Sequence, residues 1–162
     1  IRAHLIYFNA LPDWSSFNKE LINYLDFSQL YYHYFSLAKA HMKLLESDNK
    51  FTYKVVFYCL RGLLSAEIAR QGILPELQIE KLFDQFEKDF SVLKIAKEIL
   101  ERKKQQLEKQ EVADSDKPLI LKAIQEYFTM LDTNQPRRSK RAEILEHMLK
   151  EYSFHLKAQY YQ

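Results

Sequence analysis

The chain has 162 residues, enough for one domain with a sizeable core, and a net charge of only +2, too small to imply nucleic acid by itself. Its one cysteine, Cys59, excludes an intramolecular disulfide framework and a cysteine-rich metal site, and it has no apolar run of the roughly eighteen residues a membrane span needs. Two glycines and four prolines leave little for tight turns, and eleven tyrosines with eleven phenylalanines promise a bulky core, so the pattern is one of helices with short connections.

Residues 1–14 show no signal-peptide pattern, so a cytoplasmic protein is expected, and the lack of an initial Met predicts a piece of a longer protein. Residues 1–11 are a helix end or a strand-like lead-in, stopped by Pro12. Ser15 or Ser16 caps a short helix carrying Phe17, Leu21, Ile22 and Leu25. Ser28 is the expected N-cap of a second helix to about Glu46, with Leu30, Tyr34, Leu37, Ala38 and Leu45 at helical spacing.

A third helix, over about residues 50–71, is expected to start from a cap at Asp48 or Asn49 and to stop at Gly72, with Pro75 beyond. Its run from Val55 to Ala66 is apolar nearly all round, the mark of a buried helix. Arg61 interrupts that run. A guanidinium does not lose its proton, so a buried Arg61 must be paired, with a carboxylate of this chain or with an anionic ligand. Lys54 lies seven residues earlier on the same face and Tyr58 lies between them, a positive stripe. A structural ion pair between helices is the alternative.

Ile79, Leu82, Phe83 and Phe86 share one face of a fourth helix, and a turn follows near Asp89. Val92, Ile95, Ala96, Ile99 and Leu107 line a fifth, whose outer half from Glu101 to Glu111 is strongly charged. Asp114, Ser115 and Asp116 precede Pro118, which suits the first turn of a helix. Ile120, Ala123, Ile124, Tyr127, Phe128 and Leu131 form the sixth helix, broken at residues 134–136. A seventh runs from about Ser139, with Leu145, Met148, Leu149 and Tyr152 inward. The expected fold class is all-α: a compact bundle of about six or seven helices around the buried third one.

The second helix adds a polar stripe of Tyr32, Ser36, Lys39 and Lys43, bordered by His33. Facing Lys54 and Arg61, it would bring several donors to one place, and phosphate oxygens accept such donors well. A solvated helix face is the alternative. His4, His33, His41, His147 and His155 lack the spacing of a metal site. Asp114-Ser115-Asp116 is an Asp-x-Asp, the kind of pair that holds Mg²⁺ in nucleotidyl transfer, but with no strand or Gly-Ser before it the motif reads as helix capping. Arg137, Arg138, Lys140 and Arg141 place four cations at a helix N-terminus, against the macrodipole, where they serve as an RNA-backbone contact or as a hydrated linker.

The block Tyr32-His33-Tyr34-Phe35-Ser36-Leu37-Ala38, followed by Lys54-x-x-x-Tyr58-x-Leu60-Arg61-x-Leu63-Leu64-x-Ala66, resembles the C-terminal half of predicted nucleotidyltransferases of the DNA polymerase β superfamily, in the branch associated with RNA repair. Gly72-Ile73-Leu74-Pro75 and Ile79-x-x-Leu82-Phe83 keep the family's order of turn and helix. Leu5-Ile6-Tyr7-Phe8-Asn9 corresponds to its segment leading out of the catalytic domain. The likeness is best over residues 5–107. The family's Gly-Ser turn and metal-binding carboxylates are not in this chain, and Glu67-Ile68 stand where the family tends to an aromatic residue.

The resemblance therefore implies a substrate-side helical domain over residues 1–133, with a catalytic domain N-terminal to it. Residues 134–162 form a terminal helix of the same domain or one that packs on a neighbour. The implied partners are the catalytic domain, a nucleoside triphosphate and RNA, with Mg²⁺ only in the full-length enzyme. His33, Lys54 and Arg61 match the family's polar positions, with Lys39 and Tyr58 as further phosphate-binding candidates. No catalytic or metal-ligating residue is expected in this chain. A helical protein-interaction module without a nucleotide role is the alternative function.

Overall fold

A computed structural model describes residues 25–47, 51–105, 109–137, 146–147, 149–151 and 153–154. The chain divides into two units, one of Phe27–Arg137 and one of Ile1–Asp26 with Arg138–Gln162. In the larger unit the helices are α1 (Phe27–Glu46), α2 (Tyr53–Arg70), α3 (Ile79–Asp84), α4 (Ser91–Lys104) and α5 (Lys117–Thr133). The β structure among the described residues is one isolated antiparallel bridge, Thr52 to Glu111, so the fold is all-α. In the smaller unit the described residues of 146–154 are helical, and Lys150 Nζ lies 2.7 Å from Glu146.

Helix α2 is the hub, packed against α1, α3, α4 and α5. Thirteen of its eighteen residues are buried, which leaves only one narrow stripe to reach water. Leu60, Leu63 and Leu64 are fully buried, each contributing about 1.5–3 kcal/mol of apolar transfer. Its N-cap is Thr52, whose hydroxyl accepts from the Val55 N–H at 3.4 Å. The next backbone groups pair with the strap after α4: Tyr53 N–H donates to Gln110 and Val112 N–H to Phe51. At the other end Gly72 N–H donates to Ala69 and Ile73 N–H to Ile68, with Gly72 at φ 77°. Those two bonds are the Schellman termination, whose left-handed residue favours glycine.

Helix α1 runs antiparallel to α2. Cys59 Sγ donates to the Ala38 carbonyl at 3.5 Å, His41 stacks on Tyr58, and Gly62 lies against Ala38. The buried face of α1 is Tyr31, Phe35, Ala38 and Leu45. Of the expected positions Leu30, Tyr34, Leu37, Ala38 and Leu45, Ala38 and Leu45 are buried, Leu30 and Tyr34 pack half-buried at the edge of the core, and Leu37 is 42 % exposed. The aromatic run gives two apolar stripes of similar strength, and the one that sets Ala38 against Gly62 lets the helices approach closest. Ser28 falls inside the first turn of α1 and not at its cap.

Pro118 occupies the first turn of α5, as its fixed φ favours. Asp116 is the N-cap by position, but its carboxylate makes no capping bond and accepts from Ser115 Oγ at 3.0 Å instead. Asp114 pairs with Lys117 at 2.7 Å. Helix α4 ends at Lys104 with Gln105 as its C-cap, so Lys109 to Glu111 of the expected charged half lie outside the helix. The expected elements over residues 1–24, the caps at Asp48 and Asn49, Leu107, and Arg138 to Leu145 lie outside the described residues, as do Met148, Tyr152 and His155.

Candidate functional site

The exposed stripe of α2 is Lys54, Tyr58 and Arg61, at i, i+4 and i+7. Arg61 is half-buried, not enclosed by the core as the apolar run suggests. Its guanidinium donates to the Leu77 carbonyl at 2.9 Å. Among the described residues no carboxylate pairs with Arg61 or Lys54. Arg61 lines a shallow cavity of about 340 Å³ with Phe57, Leu77, Ile79, Glu80, Lys103 and Lys104.

The cations come from two helices. Lys103 and Lys104 sit in the last turn of α4, where positive charge complements the helix dipole. Lys103 Nζ lies 4.9 Å from the centroid of the Phe57 ring and 5.5 Å from that of Tyr58. One turn away, Arg102 covers the Tyr53 ring at 5.4 Å. Lys104 is partly neutralised, 2.9 Å from Glu101 and 3.7 Å from Glu80. The net result is a partly apolar basin in which Arg61 can meet an anion, with Lys103 beside it and Phe57 and Ile79 in its lining.

His33 and Lys39 stand elsewhere. His33 is exposed on α1, with its ring edge-on to Tyr34 at 5.3 Å. The antiparallel pairing of Ala38 with Cys59 and of His41 with Tyr58 puts His33 level with about residue 66 of α2. That level is roughly 18 Å along the axis from Lys54 at 1.5 Å per residue. Lys39 is exposed on α1 and does not line the basin. So the expected convergence of the α1 stripe on Lys54 and Arg61 does not occur, and Lys54 itself lies outside the lining of the cavity. His41 is the α1 residue that reaches the stripe, 5.6 Å from Tyr58 with the rings 29° apart. Its Nδ1 is 2.8 Å from the Leu37 carbonyl, so that nitrogen carries the proton.

The buried charge of α2 is Glu67, not Arg61. Arg70 grips its carboxylate with Nε to Oε2 and Nη2 to Oε1, both 2.8 Å, and Gln71 donates to Oε1 at 2.8 Å. The hydrogen bond from Arg70 to Glu67 is the main reason the Arg70 guanidinium holds its proton above the usual range. Nearby, Tyr31 donates to the Leu131 carbonyl at 2.8 Å, and burial raises the Tyr127 phenol well above its ordinary value. The i, i+3 spacing of Glu67 and Arg70 was the available sign. Nothing in sequence places Lys103 beside Arg61, because that meeting depends on how α4 crosses α2.

Among the described residues no group of three or more histidine, cysteine or carboxylate side chains is placed to hold a metal. No described helix is long and apolar enough to cross a membrane. In comparison with known proteins, the model of the RlaP family, described as the RNA repair pathway DNA polymerase beta family, matches residues 1–153. No curated protein and no solved structure matches the chain.

Proposed function

The chain belongs to the RNA repair pathway DNA polymerase beta family, and on that footing we propose that its larger unit forms one wall of a nucleotidyltransferase active-site cleft. In this reading the unit binds the phosphates of a nucleoside triphosphate or of the acceptor and does no bond-making itself. The observation that carries it is the basin where Arg61 and Lys103 meet, with no carboxylate on Arg61 among the described residues. Nucleotidyl transfer gathers negative charge on phosphoryl oxygens, and cations aimed at those oxygens stabilise it. Arg61 suits the task because its fork matches phosphate and its contact to the Leu77 carbonyl holds it in place.

Mg²⁺ would belong to the catalytic domain, since the described residues of this unit do not fit it. Its two-metal chemistry requires carboxylates that the described residues of this unit do not bring together. Lys54 and Tyr58 extend the basin along α2, whereas His33 and Lys39 act, if at all, on a separate face. The test is nucleotide titration of the full-length protein by calorimetry. Arg61→Ala weakens triphosphate or acceptor binding, and Arg61→Lys restores part of it. Binding of both ligands that ignores Arg61→Ala returns the unit to a protein-interaction role.

A further inference from the structure

We infer that the stripe Lys54–Tyr58–Arg61 of α2, flanked by Arg102 and Lys103 of α4, is a track for single-stranded nucleic acid. The inference rests on the reading above only in sharing Arg61, and it concerns the acceptor side of that cleft. Four features point to a strand and away from a lone phosphate. The cations are strung out, not clustered: Lys54 and Arg61 are seven residues apart on one face, roughly 10 Å along the helix. At about 3.4 Å per nucleotide in a stacked strand, that length spans about three phosphates.

The flanking cations are also held in place. Arg102 and Lys103 rest over the rings of Tyr53 and Phe57, which are themselves buried, so the charges are fixed against the protein before any ligand arrives. Third, the stripe carries a partly exposed aromatic, with Lys103 Nζ 5.5 Å from its centroid. Tyr58 is 36 % exposed and is backed by His41 in a stacked pair, so its rim stays rigid. Cations interleaved with an exposed ring are the pattern by which proteins hold unpaired bases and their backbone without reading sequence. Finally, Glu80 and Glu101 gather on Lys104 in the basin that Arg61 lines, which offsets positive charge at that end of the stripe.

The experiment titrates the full-length protein with labelled oligo(U), following fluorescence anisotropy over a range of salt, with ATP titrated in parallel. Tyr58→Ala lowers oligonucleotide affinity roughly tenfold, and Tyr58→Phe retains it. Lys54→Ala reduces the slope of log affinity against log salt by about 0.7. Lys122→Ala, on the exposed side of α5, changes neither quantity. Affinity that ignores Tyr58→Ala, or a slope equally altered by Lys122→Ala, overturns the track. Duplex bound as tightly as oligo(U) also overturns it. ATP binding that still depends on Arg61 in that case leaves the cleft-wall reading standing. A strand response without an ATP response to Arg61→Ala removes the triphosphate role and keeps the track.

Discussion

Gly62 meets Ala38 at the crossing of α1 and α2 with no room for a side chain. A Cβ on Gly62 would lie 3.0 Å from Ala38 Cβ, 3.1 Å from its N and 3.2 Å from its Cα. Two of those atoms are backbone in mid-helix, so they cannot yield without moving α1. Alanine in place of glycine gains about 1 kcal/mol of helix propensity. Forcing the helices apart costs about 1–3 kcal/mol. Gly62→Ala therefore lowers the thermal midpoint, and Gly62→Leu lowers it much further. A Gly62→Ala protein that melts at or above the parent temperature would show that the two helices can separate freely.

The same contact explains what the sequence could and could not tell. Punctuation was legible because it is local: Gly72 ends α2 with a left-handed residue, and Pro118 opens α5. The all-round apolar character of residues 55–66 marked the hub correctly. The face of α1 was legible only in part: Ala38 and Leu45 were expected and are buried, whereas Tyr31 and Phe35 take the core places expected of Leu30, Tyr34 and Leu37, because the run of aromatics is apolar on more than one side. The apolar flanks of Arg61 suggest enclosure, yet Lys54, Tyr58 and Arg61 occupy a stripe that no helix among the described residues covers. The partners of that stripe come from the end of α4, about forty residues on, and only tertiary packing brings them there.

Glu67 and Arg70 form the charge pair that the fold depends on. The Glu67 side chain is 10 % exposed and that of Arg70 32 %. Arg70→Ala strands a buried carboxylate, at a cost of about 2–4 kcal/mol, the lower part of the range because water reaches the guanidinium. Glu67→Gln removes the charge but keeps an acceptor for Arg70 and Gln71, and costs less. Urea unfolding of both variants checks the order. Equal losses would mean that charge contributes nothing at this position.

Alkaline pH weakens the fold through two buried acids. Burial pushes the Cys59 thiol from 9.0 up to about 12. Burial first, then the charges of Asp132 and Tyr32, pushes the Tyr31 phenol from 10.0 up to about 12. Both folded values lie above the unfolded ones, so the folded chain holds protons that the unfolded chain releases. Their contribution is complete below about pH 9 and is lost as pH rises from there towards 12. Thermal midpoints measured across that window fall for the parent and fall less steeply between about pH 9 and 10 for Cys59→Ala. The native thiol also reacts with thiol reagents only as fast as the protein opens, since it is fully buried and protonated. Rapid labelling of Cys59 under native conditions would contradict its burial.

Arg61 and Arg70, nine residues apart on α2, are expected to respond in opposite ways. Arg61 is half-buried, bonded only to the Leu77 carbonyl among the described residues, and pairs with no carboxylate whose charge its loss would expose. Arg61→Ala therefore changes unfolding free energy by less than about 1 kcal/mol, the size of one neutral hydrogen bond or less. A fully desolvated arginine–phosphate contact is worth about 2–5 kcal/mol, but water reaches this guanidinium, so the loss in ligand affinity is about 1–2 kcal/mol, or roughly tenfold. Arg70→Ala shows the reverse, a large loss of stability with ligand affinity unchanged at temperatures where it stays folded. Calorimetric titration and urea unfolding on the same two variants separate the roles. If Arg61→Ala unfolds the protein as readily as Arg70→Ala does, Arg61 is a structural residue and the basin loses its principal ligand-binding group.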